Sequence, residues 1–332
     1  MAELSSARLA SPIHLPSHTS PLLSKRGTGA TDLIWRNGTL VPWDDVTLHV
    51  MSHVVHYGSS IFEGIRTYKG PKGGNVFRLR EHMRRFHDSA KIYRMPLAHS
   101  VDQLCDAVVE TVKANKLQAC YIRPLAVRSG QDMGVLPLNA PVETFIICWH
   151  WGGAYLGADA LEQGVDATVS SWRRAAPGTF PVLAKAGGNY LNSQLSKMEA
   201  RQNGYVEGIM LDVNGHISEG SGENLFLIRD KILYTAPLAA SILQGITRDA
   251  VMAIASDLGY EVREVLMPRE FLLVADEIFF TGTAAEITPV RSVDKSQVGD
   301  GKRGPITRAI QERFLAIATG NATDSRGWLT PV

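Results

Sequence analysis

Ala184-Lys185-Ala186-Gly187-Gly188-Asn189-Tyr190 is the stretch on which the reading of this chain turns. Small neighbours leave room beside Lys185 for a planar ligand, and no acid is close in sequence to hold its ammonium charged. Desolvation lowers an amine pKa, and a neutral amine can form a Schiff base with a carbonyl. Working outward, Glu219 follows in Glu219-Gly220-Ser221-Gly222-Glu223-Asn224. A carboxylate facing a pyridine nitrogen keeps that ring protonated and able to draw off electrons. A single lysine in a glycine-rich turn is usually a solvated loop residue. Only the wider constellation of segments shifts that reading toward pyridoxal phosphate chemistry.

Length and composition agree with a globular enzyme. The chain has 332 residues, 45% hydrophobic and 20% charged, enough for a large core and two domains. A formal net charge of +1, without blocks of like charge, gives no electrostatic reason to expect nucleic acid or a membrane surface as partner. Cys105, Cys120 and Cys148 are far apart and form no C-x-x-C pair, which fits reduced thiols in a reducing compartment. No apolar run is long enough for a membrane helix. Residues 1–31, rich in Ser, Pro and His, read as a flexible tail. Arg8, Lys25 and Arg26 would suit an organelle import peptide, but the tail lacks an amphipathic basic helix, so a cytoplasmic location is expected.

Ordered structure should begin at Asp32, because Asn37-Gly38 between apolar triplets signals a tight hairpin. A strand over 75–79 leads to a helix over 81–93, and Ser100 with Gln103 forms a capping box for the next helix. Strands follow at 121–127 and 144–149, making an α+β domain of 32–151. The glycines of 152–158 read as an interdomain loop. In the remainder, 159–332, a strand is expected at 167–172, a helix from Leu191 to Asn203-Gly204, hairpins at Asn214-Gly215 and Arg229-Asp230, a helix over 247–258, a strand over 277–280 and a last helix opened by Pro305. His53 and His56, or His82 and His87, lack a third ligand at metal spacing, so no metal is expected.

Several segments have to be explained together: His56-Tyr57-Gly58-Ser59-Ser60-Ile61-Phe62-Glu63-Gly64-Ile65-Arg66, Tyr121-Ile122-Arg123-Pro124-Leu125, the Lys185 and Glu219 segments, and Gly282-Thr283-Ala284-Ala285-Glu286. In this order they resemble the branched-chain-amino-acid aminotransferases, class IV enzymes of pyridoxal phosphate fold type IV, from about Asp32 to Trp328. The resemblance implies an α+β / α/β fold of two domains with the site at the domain and subunit interface. It implies that Lys185 holds the cofactor as a Schiff base and shuttles the proton, that Glu219 meets the pyridine nitrogen, and that Tyr190 meets the ring oxygen. The phosphate would fall to Arg85, Ile246, Thr247 and Thr283, with Leu243 nearby, at a helix start that favours a dianion.

For the substrate, the resemblance assigns Tyr57, Phe62, Gly64, Tyr121, Val135, Tyr155, Tyr190, Thr283 and Ala284 to the pocket. Arg123 would grip the distal carboxylate of glutamate or 2-oxoglutarate. Tyr57, Tyr121, Arg123 and Val135 are expected from the neighbouring subunit, which makes the active unit a homo-oligomer, at least a dimer. Its ligands would be amino acids and 2-oxo acids, foremost leucine, isoleucine and valine.

Three positions depart from the pattern. Gly152-Gly153-Ala154-Tyr155 stands where relatives read Trp-Gly-Ala-Tyr, so an indole wall is lost unless Trp151 replaces it. Arg128 adds a charge expected near the entrance, and Gln244 in place of proline is expected to loosen the phosphate loop. D-amino-acid aminotransferase, (R)-selective amine transaminase and aminodeoxychorismate lyase activities, and a non-catalytic homologue, stay open as alternatives.

Overall fold

A computed structural model describes residues 27, 29–151 and 155–332. Two sheets form the frame. The first holds β1 (Leu33–Arg36), β2 (Thr39–Pro42), β3 (Ser60–Phe62), β4 (Ile65–Gly70), β5 (Gly73–Phe77), β6 (Cys120–Arg128) and β7 (Val142–Trp149). The second holds β8 (Val165–Val169), β9 (Glu207–Leu211), β10 (Ile217–Glu219), β11 (Asn224–Arg229), β12 (Ile232–Thr235), β13 (Val262–Glu264), β14 (Glu277–Gly282), β15 (Glu286–Val293) and β16 (Ser296–Gln297). The closing strand β17 (Leu329–Pro331) returns to the first sheet and pairs antiparallel with β5.

Local chemistry explains the boundaries. Asn37 and Gly38 both take positive φ, the conformation a tight hairpin needs, and Arg36 pairs with Thr39 across it. Helix α1 (His53–Tyr57) ends at Gly58 in the left-handed region. Helix α2 (Leu79–Ile92) begins two residues earlier than the pattern suggests, because Leu79 turns inward with Met83, Phe86 and Ala90. Helix α3 (Val101–Ala114) opens on Ser100, whose side chain accepts from the Gln103 amide while Gln103 bonds back. Along α3, Leu104, Val108 and Val112 meet the α2 stripe in one core. Full burial of each such side chain contributes about 1.5–3 kcal/mol.

In the second half, β9 and β11 are buried on both faces and read as continuous apolar runs. Four helices accompany this sheet in sequence order after α4 (Ala160–Gln163): α5 (Tyr190–Gln202), α6 (Ile246–Asp257), α7 (Phe271–Val274) and α8 (Pro305–Ala318). The strand expected at 167–172 runs instead over Val165–Val169, since Gly164 at φ +73 permits the turn that starts it. Tyr68 and Phe77 of the first sheet share a core with Phe226 and Phe279 of the second and with Phe314 of α8. This shared core fixes the sheets against each other, with a cleft left between them.

Candidate active site

Lys185 reaches the cleft on a segment that lies along β3. Its carbonyl accepts from the Phe62 amide at 2.9 Å, and its own amide donates to Ser89 Oγ at 3.0 Å. The small neighbours therefore do a second job besides leaving room beside the lysine, where Ala184 lines the cavity. Ala184 and Ala186 are buried in the core, and a Cβ on Gly187 would stand 2.3 Å from Ser60 Oγ. They let the segment pass close to the first sheet, which aims the lysine inward.

The cleft is a cavity of about 200 Å³. It brings together Arg85, Lys185, Tyr190, Glu219, Leu243, Ile246, Thr247 and Thr283, with Phe62, Gly64, Tyr121, Arg123, Tyr155 and Ala284. Tyr57 and Val135 do not line it; both are exposed, Val135 to 82%. Tyr121 and Arg123, expected from a neighbouring subunit, line the same cavity as Lys185 within one chain, because β6 runs beside β3 and β4 and carries both inward. That expectation is corrected.

Near the middle, Lys185 Nζ donates at 2.5 Å to the hydroxyl of Tyr190, the first residue of α5. Burial, then the nearby Arg85 charge, lowers the Lys185 amine to about 8. Burial also pushes the Tyr190 phenol up, keeping it a neutral hydrogen-bonding group.

At one end, Arg85 on α2 donates through Nε and Nη2 to Glu63 at 2.7 and 2.9 Å, and through Nη1 to the Gln244 carbonyl at 2.8 Å. His82 adds a 2.7 Å bond to Glu63, which is fully buried. Burial alone would raise the Glu63 carboxyl, but Arg85 and His82 hold it well below the usual range. The Gln244 backbone carbonyl thus ties its loop to Arg85, a bond that proline at this position would accept equally. Beside Arg85, α6 starts on Gly245 without a side-chain cap, leaving the first-turn N–H groups for an anion. Thr281 Oγ1 is buried there without a hydrogen-bond partner.

At the other end, Glu219 closes β10. Arg174 meets its Oε1 at 2.8 Å, while the Asn224 amide and the Leu243 N–H donate to Oε2 at 2.9 and 3.0 Å. Burial raises the Glu219 carboxyl and Arg174 opposes that shift. Glu223, the second acid of the segment, is buried on the wall and is pushed up to about 8, by burial first and then by Glu207.

The substrate side is aromatic. Arg123 lies 4.6 Å from the Phe62 ring centre and within 6 Å of Tyr121 and Trp149, with its Nε buried and unpartnered. Gly64 has to be glycine, since a Cβ there would stand 2.0 Å from Tyr121 Oη. Trp151 stacks on Tyr121 at 4.8 Å and lines the cavity, so an indole wall is present. The departure at Gly152-Gly153-Ala154 itself lies outside the described residues. Arg128 is not at an entrance: it is 2% exposed and donates to the carbonyls of Tyr93, Arg94 and Pro137.

This donor set suits a ligand with an anionic group at one end, a protonated ring nitrogen at the other and an aldehyde between. A family model described as amino-transferase class IV matches residues 60–293. The chain belongs to the class IV aminotransferases. The branched-chain-amino-acid aminotransferase of Escherichia coli (strain K12) is 56% identical over 306 residues, 92% of this chain and 99% of that protein. Among solved structures, the Escherichia coli branched-chain amino acid aminotransferase superposes with a TM-score of 0.88 at 56% identity, covering 90% of this chain and 98% of that one. The branched-chain amino acid aminotransferase from Thermobaculum terrenum, solved in its PLP-form, gives a TM-score of 0.85 at 34% identity, covering 92% of this chain and 99% of that one.

Within this aminotransferase site, sequence reasoning passed over Glu63, His82 and Arg174. Glu63 carried a signal, an acid inside an apolar strand segment. Arg174, next to Arg173 in a polar stretch, carried none.

Proposed function

We propose that the chain transfers the amino group of leucine, isoleucine or valine to 2-oxoglutarate, reversibly, with pyridoxal phosphate as cofactor. The observation that carries this is that Arg85, Lys185 and Glu219 line one cavity together with Phe62, Tyr121, Trp151, Tyr155 and Arg123. When bound, pyridoxal phosphate supplies the aldehyde that takes up the amino group and a ring that accepts the electron pair from the substrate Cα.

This chain's residues do the rest. Arg85, Thr247, Thr283 and the first amides of α6 hold the phosphate. Glu219 would face the ring nitrogen and favour its protonated form, with Arg174 opposing the rise that burial imposes on the Glu219 carboxyl. Lys185, with a depressed pKa, takes the proton from the substrate Cα and returns it at the cofactor C4′. Tyr190 orients Lys185 and the ring oxygen. Phe62, Tyr121, Trp151 and Tyr155 exclude water from the side-chain pocket, and Arg123 accepts the distal carboxylate of the acidic co-substrate.

Two further features belong to this proposal. Residues 32–151 and 159–332 act as two domains, with β17 returning to the first. The working unit is a homo-oligomer, at least a dimer, in which Tyr57 and Val135 complete a neighbour's pocket. A panel of L-leucine, D-alanine and (R)-1-phenylethylamine, with 2-oxoglutarate or pyruvate as acceptor, tests the activity. L-leucine with 2-oxoglutarate should be the best pair; D-alanine or the amine as preferred donor would refute it.

A further inference from the structure

The loop between β6 and β7, residues 129–141, and helix α1 are far apart in sequence, yet one imidazole joins them. His53 opens α1 and is only 3% exposed. Its Nε2 stands 3.0 Å from the Gly134 carbonyl oxygen, its Nδ1 stands 2.7 Å from Ser59 Oγ, and its ring lies 4.6 Å from that of Tyr57. A carbonyl only accepts, so Nε2 carries the hydrogen; in the neutral ring, Nδ1 accepts from the Ser59 hydroxyl. The His53 amide adds a bond to the Gly130 carbonyl at 2.8 Å.

Val135 directly follows Gly134. One side chain thus fixes the ring of Tyr57 and the backbone beside Val135, two residues that face away from their own chain's cavity. On the other limb of the loop, Arg128 binds the Pro137 carbonyl at 2.5 Å and anchors it to the end of α2. The apolar surface so presented is large: Val135 and Leu136 are 82% and 79% exposed, with Met133 and Leu138 of the same loop exposed as well. A rigidly held apolar projection of this kind suits burial against a partner, because ordering it beforehand removes entropy cost from association.

We propose that His53 is a positioning residue acting in trans: by locking α1 to the 129–141 loop it presents Tyr57 and Val135 as one preformed unit to the substrate pocket of a second copy of this chain. The inference rests on the shared-site reading above. It adds which residue holds the donated unit together.

Hybrid holoenzyme tests it. Subunits with different tags are co-expressed, one carrying Lys185→Ala and the other His53→Ala, and the mixed species is purified. In the hybrid, the sole intact lysine sits in the His53→Ala subunit, whose pocket is completed by the unaltered His53 of its partner. The His53→Ala homo-oligomer should show a KM for L-leucine raised about tenfold with kcat changed far less, the size expected from losing a buried hydrogen bond and ring support. The hybrid should return to the wild-type KM at half the activity.

A KM that stays raised in the hybrid places the effect within one chain and overturns the proposal, as does an unaltered KM in the His53→Ala homo-oligomer. His53→Gln, whose amide can reach Gly134, should recover most of the loss. If His53→Ala does not fold, Ser59→Ala replaces it with the same two expectations at smaller amplitude. A holoenzyme that is monomeric in size-exclusion chromatography removes the shared-site reading itself; a dimer without rescue removes only the role of His53.

Discussion

The two ends of the cavity are built alike with the charges exchanged. At one end a cation, Arg85, faces the ligand and a fully buried acid, Glu63, stands behind it. At the other an acid, Glu219, faces the ligand and a buried cation, Arg174, supports it. A lone buried charge is expensive, and its pKa drifts toward neutrality. Pairing each ligand-facing charge with a hidden opposite works against that drift, although burial still leaves the Glu219 carboxyl raised. On the function proposed here, the difference in sign would set the ligand's orientation, with phosphate at Arg85 and ring nitrogen at Glu219. Lys185 lines the same cavity without an ion pair among the described residues, and burial with the Arg85 charge lowers its amine to about 8.

The harshest way to break this comparison is to remove what stands between the ends. Lys185→Ala should lower kcat by about 10⁴-fold or more, since the general base and the covalent anchor go together. Borohydride reduction of the wild-type holoenzyme should place the label at Lys185 in peptide mapping; a label on another lysine would sink the assignment.

Substitutions at the two ends should fail differently. Glu219→Gln should reduce kcat by about 10²–10³-fold, the usual size of losing one aimed electrostatic partner, while cofactor affinity moves little. Arg85→Ala should weaken binding of pyridoxal phosphate to the apoprotein by about 100-fold yet leave pyridoxal, which lacks the phosphate, nearly unaffected. Equal losses for both ligands in a fluorescence titration would show that Arg85 is not a phosphate group's partner.

The supporting arginine sharpens the comparison further. Burial raises Glu219 and Arg174 lowers it, so Arg174→Gln should raise its folded pKa again. The ionised form is then lost at higher pH, and the acid limb of the kcat profile should move up by about one unit. An unmoved limb would mean that Arg174 only packs.

The smallest effect concerns the apoprotein. With its amine near 8 instead of 10.5, Lys185 should gain reactivity toward an amine reagent as pH rises through about 8. Between these values the unfolded chain binds more protons than the folded one, so stability should rise with pH across that window. Chemical denaturation of the wild type and Lys185→Met at several pH values checks the sign, because the slope should be less positive in the variant.

Much of the site was legible because its residues carry chemistry in short segments. The Lys185 and Glu219 segments announce an amine and an acid among small residues, and the capping box at Ser100, the Asn37-Gly38 hairpin and the Pro305 helix start depend only on near neighbours. Glu63 and Arg174 were not legible, since their meaning lies in partners met across the cavity wall. Arg128 misled for the same reason: three carbonyls from distant turns neutralise a charge that looks exposed in sequence. Among the small residues around Lys185, Gly187 acquired a second meaning, because Ser60 occupies the space its missing side chain leaves.

Sequence by itself determined the family and its cofactor chemistry, and singled out Lys185 and Glu219 as candidates to serve it, because a set of short segments in a fixed order carries that resemblance whatever their distances in space. Tertiary structure alone decided that Tyr121 and Arg123 share a cavity with Lys185 of the same chain, that Trp151 supplies the indole wall, and that Tyr57 and Val135 face outward. Direction is the reason: a strand alternates its side chains between faces, and only the pairing of β6 with β3 and β4 fixes which face meets the cavity.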